Sequence, residues 1–349
     1  MMLQLATELR ARGHHVAPVL PARRNPWLRN QFRDLGFDPL TFTSRGPLDP
    51  VCLAEIAGLI RGTRADVVHT HEFFTSVYGG AAAWLLRTPH VMTMHGGRYY
   101  AGRGYRRAAL RWATRRSRGV VGVSDATATD LSRTLRIPED RVRVVRNGVR
   151  PRPGDPTRLR RELGVAADET LIVAVGNLYP VKGHIVLLRA LALLDETPGA
   201  PRWRLAIAGR GGEESALRSF SETRGWANRV HLLGFRDDPD DVLAAADVFA
   251  LPSLSEGLPL ALAEAMWAGK AVVASRTGGI PEVVTHGVNA LLAPPGDERT
   301  LASCVGDLLA DPTLRARLGA AARARAEQEL SVDRMVDAYV RLYADAQRR

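Results

Sequence analysis

Residues 247–275 have the sequence DVFALPSLSEGLPLALAEAMWAGKAVVAS, the clearest structural signal in the chain. The apolar runs at 247–251 and 271–274 have the composition of buried β-strands. Between them, Pro259 suits the first position of a helix and Gly269 suits its end. A strand, a helix and a second strand in this order form a βαβ unit, which predicts a parallel sheet covered by helices.

The same alternation of apolar runs and helical segments covers the rest of the chain. It predicts further strands at 16–20, 66–69, 90–94, 119–123, 141–145, 171–175, 204–208 and 230–233. Three prolines and two glycines within residues 147–156 mark a linker. We therefore predict two doubly wound, Rossmann-like α/β domains at 1–149 and 150–330, with a cleft between them. An amphipathic helix at 331–349 is expected to pack back towards the first domain.

The first domain departs from this pattern at its beginning. A doubly wound domain normally starts with a strand that becomes central in the sheet, whereas the helical spacing here already runs from Leu3 to Arg12. We therefore expect the sheet of the first domain to lack its first strand.

Composition excludes several classes of protein. Of the 349 residues, 46% are hydrophobic and 24% charged, which is ordinary for a globular protein and excludes dominant disorder. No uncharged apolar run reaches 18 residues, so a membrane-spanning helix is not expected. The two cysteines, Cys52 and Cys304, lack the spacing of a disulfide scaffold or zinc module, and His69-Thr-His71-Glu72 is not an HExxH motif. We expect no metal site and a cytoplasmic location.

The net charge of +11 is concentrated in the first domain. Residues 1–150 contain 24 arginines, no lysine and 11 acidic residues, a net charge of +13, whereas the remainder carries −2. Residues 98–118 alone hold eight arginines, three tyrosines and a tryptophan. This combination favours an anionic membrane surface, and we assign the contact to Arg106, Arg107, Arg111 and Arg115. A solvated helix face remains the alternative; nucleic acid is not expected, because no nucleic-acid-binding motif accompanies the charge.

Two loops at predicted strand ends carry candidate ligand-binding residues. Glu256 lies in the loop before the helix that begins near Pro259, and Glu264 lies inside that helix. The backbone N–H groups of Gly257 and Leu258 stand at the helix N-terminus, which favours anions or sugar hydroxyls. Lys182 follows the strand at 171–175 and suits a diphosphate.

Two further segments contain residue types that are common in ligand-binding sites. The G-x-G of Gly209 and Gly211 lacks the third glycine of the dinucleotide-binding fingerprint, because Glu214 occupies that position. His95 follows the strand at 90–94 and precedes two glycines, which places it at a carboxyl strand end where ligands bind.

These motifs resemble the retaining glycosyltransferases of family 4, which have the GT-B fold. The most specific part is the E-x7-E motif from Glu256 to Glu264, within PSLSEGLPLALAEAMWAGKAVVASRTGGIPEVV. GNLYPVKG resembles the family's G-R-x-x-x-x-K-G loop. ADVVHTH, TMHGG, GVSDATATDL and VRVVRNGV resemble its first-domain segments, and GRGGEESALR and VHLLGFRDD resemble its donor-domain segments.

The resemblance implies a role for each candidate residue. The first domain would bind the acceptor, and the second would bind a UDP- or GDP-linked sugar as donor substrate, without metal or other cofactor. Lys182 would bind the diphosphate, Glu264 the ribose, and His95 the sugar near the reacting carbon. Glu256 would face the transferred sugar, with Gly257, Leu258 and Pro259 near the phosphates. Phe235 and Arg236 would lie near the base.

Two departures from the family keep a second interpretation open. Asn177 stands where the family usually has a phosphate-binding arginine, and the first strand is not seen in the sequence. The favoured function is transfer of a sugar to a glycan or lipid-linked acceptor in bacterial cell-surface polysaccharide or glycolipid synthesis, at the inner face of the membrane. The alternative is a catalytically impaired protein that binds an anionic membrane or another polyanion.

Overall fold

The computed structural model describes residues 1–23, 26–46, 48–96 and 104–348. The chain divides into two compact units: Met1–Gly148 with Val332–Arg349, and Val149–Ser331. These limits lie one residue from the boundaries predicted from the sequence.

The first unit is an α/β layer structure. Its elements, in chain order, are α1 (Met2–Ala11), β1 (Val19–Pro21), α2 (Pro26–Asp34), β2 (Leu40–Phe42), α3 (Pro50–Thr63), β3 (Val68–His71), α4 (Glu72–Leu85), β4 (His90–Met94), α5 (Gly104–Arg116), β5 (Gly119–Gly122), α6 (Asp125–Leu135) and β6 (Val142–Val144). Sequence patterns did not predict α2, β2 or α3, and they placed β1 and β3 about two residues too early.

The strands of the first unit pair in parallel, as predicted, but in two sheets. Strands β3, β4, β5 and β6 form one sheet in this order, and β1 pairs with β2 in another. No strand among the described residues joins the two sheets.

The second unit is built on a six-stranded sheet. Its elements are α7 (Arg158–Leu163), β7 (Thr170–Val175), α8 (His184–Asp195), β8 (Trp203–Ala208), α9 (Glu214–Thr223), β9 (Val230–Gly234), α10 (Pro239–Ala245), β10 (Val248–Leu251), α11 (Leu260–Trp267), β11 (Ala271–Ser275), α12 (Ile280–Val283), β12 (Leu291–Ala293), α13 (Glu298–Ala310) and α14 (Pro312–Glu329). The sequence analysis missed β12.

The strand order of this sheet reverses direction between β7 and β10. The order is β12-β11-β10-β7-β8-β9, with every pair parallel. The chain moves from β7 outward to β9 and then crosses to β10 on the other side of β7. After β7 the chain continues towards β8, and after β10 it continues towards β11, in opposite directions along the sheet. Ligands of doubly wound sheets bind at such a point.

The C-terminal helix α15 (Val332–Arg348) belongs to the first unit. Its apolar residues recur at helical spacing, and Val336, Tyr339 and Leu342 are buried against Val91 and Val121 of the four-stranded sheet. Burying three large side chains of this kind stabilises the unit by several kcal/mol, at about 1.5–3 kcal/mol each. No helix in the described residues is long and apolar enough to span a bilayer.

Candidate active site

Two loops meet at the carboxyl ends of β7 and β10. The loop after β7 ends at Gly183, whose φ of 65° is in the left-handed region. A Cβ at this position would lie 2.1 Å from the Pro252 carbonyl oxygen in the other loop, so only glycine permits this approach. The backbone N–H of Leu254 donates to the Val181 carbonyl at 2.8 Å. The two loops therefore form one packed surface.

Lys182 and Glu256 form an ion pair across these loops. Nζ of Lys182 donates to Oε1 of Glu256 at 2.7 Å, and the Ser253 hydroxyl donates to the same oxygen at 2.7 Å. The Glu256 side chain is 8% exposed and that of Lys182 is 24% exposed. Since the pair is largely removed from water, losing one member would leave the other as an uncompensated charge.

Glu264 lies in the second turn of α11 with no partner. Its carboxylate makes no hydrogen bond or ion pair within the described ranges, and burial raises its pKa. A partly buried carboxylate in this state is a ready acceptor for ligand hydroxyl groups.

The N-terminus of α11 is supported by a glycine-rich segment. The helix begins at Leu260, with Pro259 in the N-cap position, so its start lies one residue later than predicted. Gly257 and Leu258 are buried before it, and the Gly279 N–H donates to the Gly257 carbonyl at 2.7 Å. A Cβ at Gly278 would lie 1.8 Å from the Glu256 carbonyl oxygen. This segment therefore fixes the backbone on which Glu256 stands.

Gly209 and Gly211 have a packing function at the end of β8. A Cβ at Gly209 would lie 1.9 Å from the Gly176 carbonyl oxygen, and one at Gly211 would lie 2.3 Å from the Leu178 carbonyl oxygen. The two glycines let the loop after β8 lie directly on the loop that carries Asn177, whose side chain is exposed. The G-x-G of Gly209 and Gly211, which is not a dinucleotide-binding motif, therefore allows close contact between the backbones of two loops.

Phe235 and Arg236 follow β9 and differ in their surroundings. Phe235 is 44% exposed. Arg236 is held by carboxylates: it makes two hydrogen bonds of 2.7 Å to Asp238 and contacts Glu162 at 2.9 Å. These hydrogen bonds raise its pKa above the ordinary value. Phe235 is thus the more accessible of the two predicted base-binding residues.

His95 lies at the carboxyl end of β4 in the first unit. A hydrogen bond of 3.2 Å joins its Nε2 to Nδ1 of His71, with either ring as donor, and its backbone N–H donates to Oε1 of Glu72 at 3.2 Å. Glu72 has a φ of 68°, a left-handed conformation that costs a non-glycine residue about 1–3 kcal/mol. Sequence reasoning singled out neither His71 nor Glu72 as part of the site, and backbone strain leaves no sequence signal.

The histidines of this region are neutral at physiological pH. Burial lowers the pKa of His95 to about 4 and that of His69 to about 3, and it holds the pKa of His71 well below its usual value. His69 is fixed by hydrogen bonds to Tyr343 at 2.7 Å and to Thr93 at 2.8 Å. In the part of the chain that the structure describes, no group of three metal-ligating side chains is arranged around a possible ion.

The arginines of α5 point in two directions. Arg107 and Arg115 are exposed, and Arg111 shares their side of the helix. Arg106 instead faces Phe73, with its guanidinium carbon 5.7 Å from the ring centroid. The part of the predicted basic segment at 98–103 lies outside the described residues.

Two tryptophans lie beside these arginines, and one of them is exposed. Trp84 of α4 is 47% exposed and meets Trp112 of α5 with ring centroids 5.9 Å apart. The Arg116 guanidinium carbon is 5.0 Å from the Trp84 ring centroid. We call Trp84, Arg107, Arg111, Trp112, Arg115 and Arg116 the α4–α5 patch; the sequence analysis did not include Trp84 in it.

Comparison with known proteins places this architecture in a family. Residues 155–325 match the family model of glycosyl transferases group 1, and residues 1–152 match that of glycosyltransferase family 4. The chain belongs to glycosyltransferase family 4. The family's GT-B fold is therefore the fold of this chain, and the resemblance drawn from the E-x7-E motif is confirmed.

Relatives and solved structures support the assignment over most of the chain. The alpha-maltose-1-phosphate synthase of Mycolicibacterium smegmatis is 31% identical over 80% of this chain and 79% of its own length. A D-inositol 3-phosphate glycosyltransferase of Acidothermus cellulolyticus is 33% identical over 80% of this chain and 67% of its own length. The crystal structure of Anabaena HepE in complex with UDP-glucose matches with a TM-score of 0.84 and 25% identity, covering 97% of this chain and 93% of that chain.

Proposed function

We propose that this glycosyltransferase transfers a sugar from a UDP- or GDP-linked donor to a hydroxyl group of a glycan or lipid-linked acceptor, with retention of anomeric configuration and without a metal. The observation that carries the proposal is the Lys182–Glu256 ion pair at the strand-order reversal, together with the unpartnered carboxylate of Glu264 in the helix that follows Glu256. The likeness to a structure described in complex with UDP-glucose supports a nucleotide-sugar donor.

The residues of the second unit are assigned to the donor. The ribose hydroxyls donate to Glu264, and the diphosphate lies between Lys182 and the N-terminus of α11, where Gly257, Leu258 and Pro259 precede the helix. A lysine and a helix N-terminus both stabilise the negative charge that grows on the leaving phosphate. Phe235 and Arg236 flank the base. Asn177 contributes no cation, so Lys182 supplies the charge of this loop.

The reaction is assigned to the transferred sugar and its neighbours. The bond between the anomeric carbon and the phosphate oxygen breaks, and the diphosphate leaves. The acceptor hydroxyl attacks from the same face and gives its proton to the departing phosphate. Glu256 and His95 contact the sugar while positive charge develops on its ring. Both residues therefore act more strongly in the transition state than in the ground state.

We propose further that the first unit docks on an anionic membrane. Its net charge is +13, and the α4–α5 patch combines arginines with exposed tryptophan, as interfacial sites do. Docking would bring the first unit to a lipid-linked acceptor of the cell envelope at the inner face of the membrane. The same surface serves the alternative function of a catalytically impaired, membrane-binding protein.

A transfer assay separates the two functions. The protein is incubated with UDP- and GDP-linked sugars, and release of the nucleoside diphosphate and the anomeric configuration of the freed or transferred sugar are followed by NMR. Glu256→Gln and His95→Ala should lower kcat with little change in donor KM. Glu222→Gln, which changes an exposed glutamate of α9, is the matched control. No release from any donor would favour the impaired protein.

A further inference from the structure

His71 and Glu72 hold His95 from two directions. His71 ends β3 and Glu72 begins α4, so the two are consecutive at the point where the strand becomes a helix. His71 engages the His95 ring and Glu72 engages its backbone N–H, each at 3.2 Å. The ring and the main chain of His95 are therefore fixed by one short segment.

The contact with His71 leaves one ring nitrogen of His95 for a ligand. Nε2 is engaged by His71, and Nδ1 has no hydrogen-bond partner among the described residues. A neutral imidazole has one donor and one acceptor, and the bond made by one nitrogen decides the role of the other. The tautomers of the two rings are therefore coupled: Nδ1 of His95 donates when His71 donates from its own Nδ1, and accepts when His71 accepts.

The backbone of Glu72 is strained. Its φ of 68° is unfavourable for any side chain, and a glycine would adopt it freely. A glycine, however, has no carboxylate to accept from His95. Strained residues of this kind persist where the surrounding structure or a function requires their side chain.

We propose that His71 and Glu72 are positioning residues that hold His95 in one orientation and one tautomer, so that Nδ1 meets a hydroxyl group of the transferred sugar. This inference rests on the proposed function, from which it takes the contact between His95 and the sugar. Neither residue touches the reacting atoms; both act through His95.

NMR of the protein labelled with ¹⁵N in its histidines tests the positioning without any substrate. In the wild type, the two ring nitrogens of His95 should give the separate signals of one neutral tautomer. His71→Phe should merge them towards averaged positions, because both tautomers become populated. His71→Asn keeps a polar atom near the position of Nδ1 and should preserve one tautomer. His15→Phe, which changes an exposed histidine of the same unit, is the control.

Kinetics with UDP-glucose test the consequence for the reaction. His71→Phe should lower kcat at least about tenfold with little change in donor KM. A misplaced His95 ring slows the chemical step more than it weakens donor binding. Glu72→Gly should also lower kcat while the midpoint of urea unfolding is unchanged or higher, since glycine relieves the strain. Glu72→Gln keeps an acceptor and should retain most of the rate.

The outcomes distinguish this inference from the proposed function. Unchanged His95 signals in His71→Phe, or a Glu72→Gly variant with wild-type kcat, would overturn the positioning. A different outcome is that the NMR signals change as expected while the wild-type protein releases no nucleoside diphosphate from any nucleotide sugar. In that case the positioning of His95 holds, but the proposed function fails, and with it the contact between His95 and the sugar.

Discussion

Nζ of Lys182 lies 2.7 Å from Oε1 of Glu256 and joins the ends of β7 and β10. The sequence analysis assigns the two residues separate contacts with a donor, yet in the structure they bind each other. Glu256 therefore orders the flexible side chain of Lys182 at the ends of the two strands.

The first prediction concerns the stability of the second unit. Lys182→Ala leaves the carboxylate of Glu256 buried without its cation, which should cost about 3–5 kcal/mol of the free energy of unfolding. Changing Glu256 to Gln in the same chain removes the stranded charge and should recover part of this loss. Urea unfolding of the two single variants and the double variant gives the coupling energy; strictly additive effects would contradict the buried pair.

The second prediction concerns the glycines after β8. Gly209→Ala would drive a Cβ to within 1.9 Å of the Gly176 carbonyl oxygen, so the two loops must separate. We expect a loss of about 1–3 kcal/mol in unfolding free energy. Gly212→Ala is the matched control, because a Cβ there meets nothing within 4 Å. Equal stabilities of the two variants in urea would contradict the close packing of the loops.

The third prediction is that acid destabilises the first unit. Burial lowers the pKa of His69 to about 3 and those of His90 and His95 to about 4. The unfolded chain binds these protons near pH 6.5, so the unfolded state gains protons first as the pH falls. Stability is therefore full above pH 6.5 and is lost as the pH falls towards about 4, by about 1.4 kcal/mol per pH unit for each histidine.

One buried cysteine in each unit allows this loss to be localised. Cys52 is buried in the first unit and Cys304 in the second. The protein is unfolded in urea at pH values between 7 and 5 and labelled with dithiodipyridine. Mass spectrometry then shows the urea concentration at which each cysteine becomes accessible, and therefore at which its unit unfolds. Cys52 should become reactive at progressively lower urea as the pH falls. A Cys52 midpoint that does not change over this range would contradict the prediction.

The fourth prediction concerns the α4–α5 patch. Vesicles with anionic lipid should sediment with the protein, and binding should weaken as salt rises, because each basic residue contributes about 1 kcal/mol and the attraction is screened. Changing Arg107, Arg111 and Arg115 to Ser should reduce binding more than changing Arg33, Arg61 and Arg133, which are exposed on other helices. Equal losses in the two triple variants, or equal binding to neutral vesicles, would contradict docking through this patch.

Much of the fold was predictable because it depends on local patterns. Buried parallel strands are nearly continuous apolar runs, and all strands predicted in the second unit occur there. The three-residue strands β2 and β12 were missed because so short a run carries too little periodicity. The helix over residues 26–34 was missed as well, although its apolar residues Leu28 and Phe32 have helical spacing.

The individual residues of the candidate site could be predicted from the sequence, but the contacts between them could not. Glu256 and Lys182 stand out at strand ends, but 74 positions separate them, and no local pattern predicts their ion pair. The contact of Ser253 with the same oxygen was equally invisible. Gly209 and Gly211 were judged against a phosphate-binding fingerprint, whereas their function depends on backbone contacts that only the fold reveals.

Calorimetric titration of UDP and GDP into the wild-type protein tests the central claim, a nucleotide-sugar site at the ends of β7 and β10, most directly. We predict measurable binding of at least one of the two nucleotides. Lys182→Ala and Glu264→Ala should each weaken it roughly ten- to hundredfold, since a hydrogen bond to a charged group contributes about 1.5–3 kcal/mol. Glu222→Gln should bind as the wild type does. Unchanged affinity in both site variants would contradict the account.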